Sequence, residues 1–288
     1  MPEATTHTLE VPGVNLVYDV RAADSGNGGP PLMLVGSPMD ASGFGTLASR
    51  FPDRTVVTYD PRGTARSEKT DAPLESTPEQ HADDIHRIIA ALGAGPVDLF
   101  ASSGGAVNAL ALVAEHPADV RTLVAHEPPT AHVLPDREQA LAATEDIRDT
   151  YQRAGYGPAM AKFIALVGHK GPVPADFADS FNPDPAMFGL PSEDDGGRAD
   201  ALVGQNIITC THYEPDFDAL RAAETRIVVG VGAESEGEMA RRGGEGVAER
   251  LGSRPVVFPS GHGGFLGDEY GQPGDPDGFA AKLREVLA

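Results

Sequence analysis

The sequence predicts an α/β protein: a mostly parallel sheet of eight strands with helices on both faces and a helical segment inserted late in the chain. Three observations carry this. Short apolar runs without alternation recur at 31–35, 54–59, 97–101, 120–125, 227–231 and 254–259, as expected of strands buried on both faces. Helical patterns separate several of these runs, which is the signature of parallel crossovers. Between residues 128 and 224 the strand signals stop, and helical stretches alternate with loops rich in Pro, Gly and Asp.

The elements follow in order. Residues 8–11 and 14–20 flank Pro12-Gly13, a turn pair, and read as a hairpin. A loop spans 25–31 before the first unalternating run. A helix begins near residue 77. Ser76 and Glu79 form a capping-box pattern, and Thr77-Pro78 offers an alternative cap with Pro in the first turn. Ile85, Ile88, Ile89 and Leu92 give its apolar stripe, and Gly93 stops it. Residues 106–115 are rich in Ala, Leu and Val with almost no polar face, so this helix should be buried. A closing helix over 279–287 carries Leu283 and Leu287 on one face. The expected organisation is a core of residues 1–127 and 225–288 with a helical cap of residues 128–224.

The chain has 288 residues, enough for one large domain, and 40% of them are hydrophobic, so a sizeable core is available. Lys and Arg number 22 against 43 Asp and Glu, a net charge of −21. That argues against a nucleic-acid partner, which needs a basic stripe, and disfavours an anionic membrane surface. The single cysteine, Cys210, allows no internal disulfide and no thiolate zinc site, in keeping with a reducing, cytoplasmic setting. The first residues carry no leader pattern, and no apolar run approaches the roughly 18 residues of a membrane span.

The chemistry starts at Phe100-Ala-Ser-Ser-Gly-Gly-Ala106, between a buried strand and a buried helix. A nucleophile elbow needs that context. Its turn is so tight that the residues two before and two after the nucleophile must be small. Around Ser103 these are Ala101 and Gly105. Around Ser102 they are Phe100 and Gly104, and Phe is too large. Ser103 is therefore the candidate nucleophile; the plain alternative is a Gly-rich turn with a capping serine.

With this elbow in place the chain resembles the α/β-hydrolase superfamily over nearly its whole length. The matching pieces are Leu34-Val-Gly-Ser-Pro-Met39, Tyr59-Asp-Pro-Arg-Gly-Thr-Ala-Arg-Ser67, the elbow, and Pro259-Ser-Gly-His-Gly-Gly264. It is most similar to small bacterial esterases, perhydrolases and related capped enzymes. It lacks the His-Gly-Gly-Pro-Gly stretch and the Trp after the serine that mark proline iminopeptidases. The resemblance implies that His262, in a Gly-rich loop lying over the elbow, is the general base. It implies two backbone N–H donors for the oxyanion, from Gly104 and from Ser37. The Asp60-Pro-Arg-Gly63 turn is expected to tie down loops behind the elbow.

The acid departs from the family, whose usual Asp position, three residues beyond a Gly, holds Ser235. Glu234 or Glu236 could serve from the same loop. Glu127, at the end of the preceding strand and followed by Pro128-Pro129, is favoured. All three preserve the order Ser, acid, His.

Other signals weigh less. Gly230-Val-Gly232 lacks the third glycine of a dinucleotide fingerprint. Glu193-Asp-Asp195 does not have the spacing of a calcium loop. Cys210 reads as a buried small residue. The expectation is a serine hydrolase of a small carboxylic ester, lactone or thioester that needs no metal or organic cofactor. The alternatives are cofactor-independent C–C hydrolysis, oxygenation or cyclisation on the same fold, and a non-catalytic small-molecule receptor.

Overall fold

The computed structural model describes residues 3–24, 29–70, 75–271 and 274–288. Residues 25–28 of the expected 25–31 loop lie outside them. The strands are β1 (Thr5–Val11), β2 (Val14–Arg21), β3 (Leu32–Val35), β4 (Val56–Tyr59), β5 (Val97–Ser102), β6 (Val120–His126), β7 (Arg226–Gly232) and β8 (Val256–Phe258). They form one sheet in the order β1-β2-β4-β3-β5-β6-β7-β8. The hairpin and its pairing to β4 are antiparallel; every pairing from β4 through β8 is parallel.

The helices are α1 (Gly45–Ser49), α2 (Pro78–Leu92), α3 (Gly104–Glu115), α4 (Arg137–Ala154), α5 (Tyr156–Val167), α6 (Phe177–Ser180), α7 (Ile207–Thr209), α8 (Phe217–Ala222), α9 (Met239–Arg250) and α10 (Pro276–Leu287). Alternate strand residues feed two cores. Met33, Val35, Leu99 and Ala101 pack with α2, α3 and α9 on one face. Leu32, Leu34, Phe100 and Val124 pack with α1 and α10 on the other. This two-sided burial is why these strands read as continuous apolar runs. Ten of the twelve residues of α3 are buried, which explains its missing polar face.

Two helices escaped the sequence reading. The short α1 has no strong apolar period. In α9, three glycines within MARRGGEGVAER weaken the helical signal. At least one is required by packing: a Cβ on Gly243 would stand 2.4 Å from the Pro128 carbonyl oxygen. The α2 cap also resolves one way. Thr77 is the N-cap and forms the capping box with Gln80, with Pro78 at the first helical position. Ser76 does not cap; its hydroxyl accepts from Lys69 Nζ at 3.1 Å.

The Asp60 turn ties loops together. Asp60 accepts from the Ala41 N–H at 3.1 Å and from Arg66 Nε at 2.6 Å. Arg62 and the fully buried Asp84 make a two-pronged pair at 2.7 and 2.6 Å. Between β6 and β7 the described residues contain helices and turns but no strand. Most of that segment builds a third apolar cluster around Ala143, Ile147, Tyr151, Leu166 and Val203. Its last helix, α8, instead packs Phe217 and Leu220 into the first core beside α3. Among the described residues no helix is long and apolar enough to cross a membrane.

Candidate active site

Ser103 links β5 to α3 with φ 57° and ψ −128°, a conformation that costs a non-glycine residue about 1–3 kcal/mol. The surroundings enforce it. The Ser103 N–H donates to the His126 carbonyl at 3.0 Å, and its own carbonyl accepts from the Ala106 N–H at 2.9 Å. A Cβ on Gly105 would stand 2.5 Å from the Val35 carbonyl oxygen, and one on Gly104 would stand 2.5 Å from that of Ser37. The elbow is thus wedged against the end of β3, so only small side chains fit. Ser102 points the other way: it is buried, with Oγ 3.2 Å from His126 Nδ1.

His262 follows β8 and is partly open, with a side-chain exposure of 39%. Its Nδ1–H donates to Glu127 Oε2 at 2.6 Å, which leaves Nε2 as its free nitrogen. Glu127 is completely buried at the end of β6, with φ 47°. Its other oxygen, Oε1, accepts from the Gly232 N–H at 2.8 Å and from Ser235 Oγ at 2.6 Å. Burial raises its carboxyl pKa, but the hydrogen bond from His262, the nearby His126 and the Ser235 hydroxyl outweigh that and hold it at about 2. The structure therefore brings Glu127, not Glu234 or Glu236, to the His262 ring. Glu234 and Glu236 are exposed, and among the described residues Glu234 Oε2 meets only Ser260 Oγ at 3.4 Å.

Ser37 is buried beyond β3 and Gly104 opens α3. Neither N–H has an acceptor among the described residues. Ser37 Oγ donates to Asn206 Oδ1 at 3.3 Å, and the Cys210 thiol donates to the same oxygen at 3.4 Å. Burial pushes the Cys210 thiol up to about 12, so it stays protonated. Asn206 ends a single π-helical turn, Leu202–Asn206, which no local sequence pattern announced.

Two cavities meet at this group. One of about 420 Å³ lies under the 128–224 segment and reaches Phe163, Leu166, Asn206, Cys210, Glu238 and Met239. The other, about 440 Å³, runs past Met39, Asp40, Phe265 and Tyr270. Ser37, Ser103 and His262 line both.

His126 is buried in a cage of Phe100, Phe258, Phe265 and Phe279, with its ring centre 6.0 Å from that of His262. Burial, with His262 nearby, lowers its pKa to about 4. Among the described residues, two groups of side chains bring metal-type ligands together: His126, Glu127 and His262, and, elsewhere, His86, His116 and Asp119. In the first, Glu127 and His262 already occupy each other. In the second, the two imidazoles stack at 3.9 Å and 9°, so their in-plane lone pairs do not converge on one point.

A strained serine on a strand–turn–helix, with a histidine–carboxylate pair beside it on this sheet, defines an α/β-hydrolase. The chain belongs to that family: the model of the α/β hydrolase fold matches residues 34–194. It is 30% identical over 266 residues to the uncharacterized hydrolase YraK of Bacillus subtilis, covering 90% of this chain and 89% of that one. It is also similar to a thermophilic esterase from Thermogutta terrifontis, with TM-score 0.67 and 20% identity over 99% of this chain and 98% of the other. A third similarity is to the enol-lactonase from Burkholderia xenovorans LB400, with TM-score 0.64 and 18% identity over 98% of this chain and 99% of that one. The chain is an enzyme of this hydrolase fold.

Proposed function

We propose that the chain is a serine hydrolase of small carboxylic esters, lactones or thioesters, working through an acyl-enzyme. The observation that carries this is the 2.6 Å bond from His262 Nδ1 to the buried Glu127, beside a strained Ser103 that lines the same cavities. The glutamate fixes the tautomer, so Nε2 is the lone pair that takes the Ser103 proton. Ser103 Oγ then attacks the substrate carbonyl carbon. The negative charge moves to the carbonyl oxygen, which the N–H groups of Ser37 and Gly104 receive. Collapse breaks the bond to the alcohol or thiol, and His262 returns the proton to the leaving group. Water, deprotonated by His262, repeats the attack and releases the acid.

The 128–224 segment acts as the cap, closing the apolar cavity over the acyl group. Cavities of about 420 and 440 Å³ suit small acyl and leaving groups. The esterase and the enol-lactonase among the similar structures support an ester or lactone substrate. The test is labelling and turnover together. A fluorophosphonate should label Ser103, and a p-nitrophenyl ester should be hydrolysed with a burst matching the acyl-enzyme. Labelling without turnover of any ester, lactone or thioester would leave a receptor instead.

A further inference from the structure

Glu238 precedes α9 as its N-cap residue, yet its side chain makes no capping hydrogen bond. Its carboxylate has no hydrogen bond and no ion pair among the described residues. It is half-buried and lines the cavity that holds Ser103 and His262. Among the described residues, no Lys or Arg lines either cavity. Several of the other polar side chains are already engaged. Thr144 Oγ1 donates to the Leu141 carbonyl at 2.8 Å, Thr211 Oγ1 bonds the Ile207 carbonyl, and Cys210 and Ser37 bond Asn206. In the second cavity Asp40 accepts from Ser42 N–H and Oγ at 2.8 and 2.5 Å. The exposed Lys170, bridged to Glu238 through the backbone, pulls on its charge but does not reach it as an ion pair.

We propose that Glu238 is a substrate-recognition residue and that the cavity beneath the cap takes an acyl group carrying an ammonium nitrogen. The inference rests on the serine-hydrolase reading and deepens it. An unpaired carboxylate partly withdrawn from water is penalised until a cation arrives. Burial and the neighbouring Glu127 accordingly raise the Glu238 pKa. The cavity's apolar lining, which includes Phe163, Ile164, Leu166 and Met239, suits an alkylated ammonium, and an aromatic ring can add its own attraction for cations. The net charge of −21 concentrates cations around the molecule and repels carboxylate-bearing esters.

The test compares two p-nitrophenyl esters. One carries γ-trimethylammoniobutyrate; the other replaces its quaternary nitrogen with carbon and is otherwise the same shape. After correction for hydroxide reactivity, the intact protein should favour the cationic ester by about tenfold or more in kcat/KM, the effect of one desolvated cation contact. Glu238→Gln should lose about tenfold more on the cationic ester than on the neutral one. Glu238→Lys should favour an ester ending in a carboxylate instead. The long-range field is nearly the same in the wild type and the Gln variant, so their ratio isolates Glu238. Hydrolysis of the neutral ester serves as the control for folding. No cationic preference in an active wild type, or an unchanged ratio in Glu238→Gln, overturns the proposal alone. A wild type inert toward both esters and unlabelled at Ser103 overturns the serine-hydrolase reading and this proposal together.

Discussion

Ser235 Oγ donates a 2.6 Å hydrogen bond to Glu127 Oε1. In the family pattern the Ser235 position belongs to the acid. Here the loop after β7 supplies donors instead, from Ser235 and from the Gly232 N–H, to a carboxylate presented by the neighbouring strand. His262 therefore meets a carboxylate whose second oxygen is fully engaged.

The first prediction concerns that carboxylate. Glu127→Gln keeps the shape and removes the charge, and kcat should fall by about 10⁴-fold, as when the acid of a serine-protease triad is replaced by its amide. Glu234→Gln and Glu236→Gln should stay within about tenfold of wild type, as exposed loop changes usually do. Steady-state kinetics on a p-nitrophenyl ester decide it. The reverse ranking would move the acid to the loop.

The second uses Ser235. In the wild type, Ser235→Asp places a second carboxylate against Glu127, and like charges at that distance cannot both ionise cheaply. Activity should fall. In a Glu127→Gln background the same Ser235→Asp change should recover activity by about tenfold or more, a coupling that only contacting residues show. Additive losses in the double variant would count against the exchange of acid between strands.

The third concerns strain at the elbow. Ser103→Ala should reduce kcat by about 10⁴-fold or more, while Ser102→Ala, whose hydroxyl faces His126, should cost far less. Ser103→Gly should also be inactive but more stable by about 1 kcal/mol, because glycine adopts φ 57° without penalty. Urea melts check the sign. A less stable glycine variant would mean the serine is not strained.

The fourth follows from two buried histidines. Burial lowers the pKa of His126 to about 4 and that of His81 to about 3, against 6.5 unfolded. Between about pH 6.5 and 4 the unfolded chain binds these protons and the folded chain does not. Their contribution is thus present above 6.5 and lost as pH falls, each histidine adding a slope of about 1.4 kcal/mol per pH unit. Glu127 adds its own loss lower still, from 4.5 down to about 2. Stability measured by urea midpoints should drop steeply from pH 6.5 to 4, and His126→Phe should flatten that slope. An unchanged slope would remove His126 as a source.

The sequence alone was enough for the eight strands, because strands covered on both faces must be apolar throughout, as at Leu32–Val35 and Val97–Ser102. It was enough to place the elbow at Ser103, because a turn that tight rejects Phe100 as a flanking residue. It pointed to His262 through a motif and its order. It missed α9, whose glycines weaken the helical pattern in order to pass close to Pro128. The sequence favoured Glu127 as the carboxylate at His262 but left Glu234 and Glu236 open, since all three keep the same chain order. Only the tertiary structure chose, because the answer depends on β6 and β7 ending side by side, with residues 105 and 108 apart brought into one hydrogen-bonded group. Asn206 and Glu238 belong to the same class. Their positions carry no local signature, and they face the cavity only because the 128–224 segment and α9 fold over it.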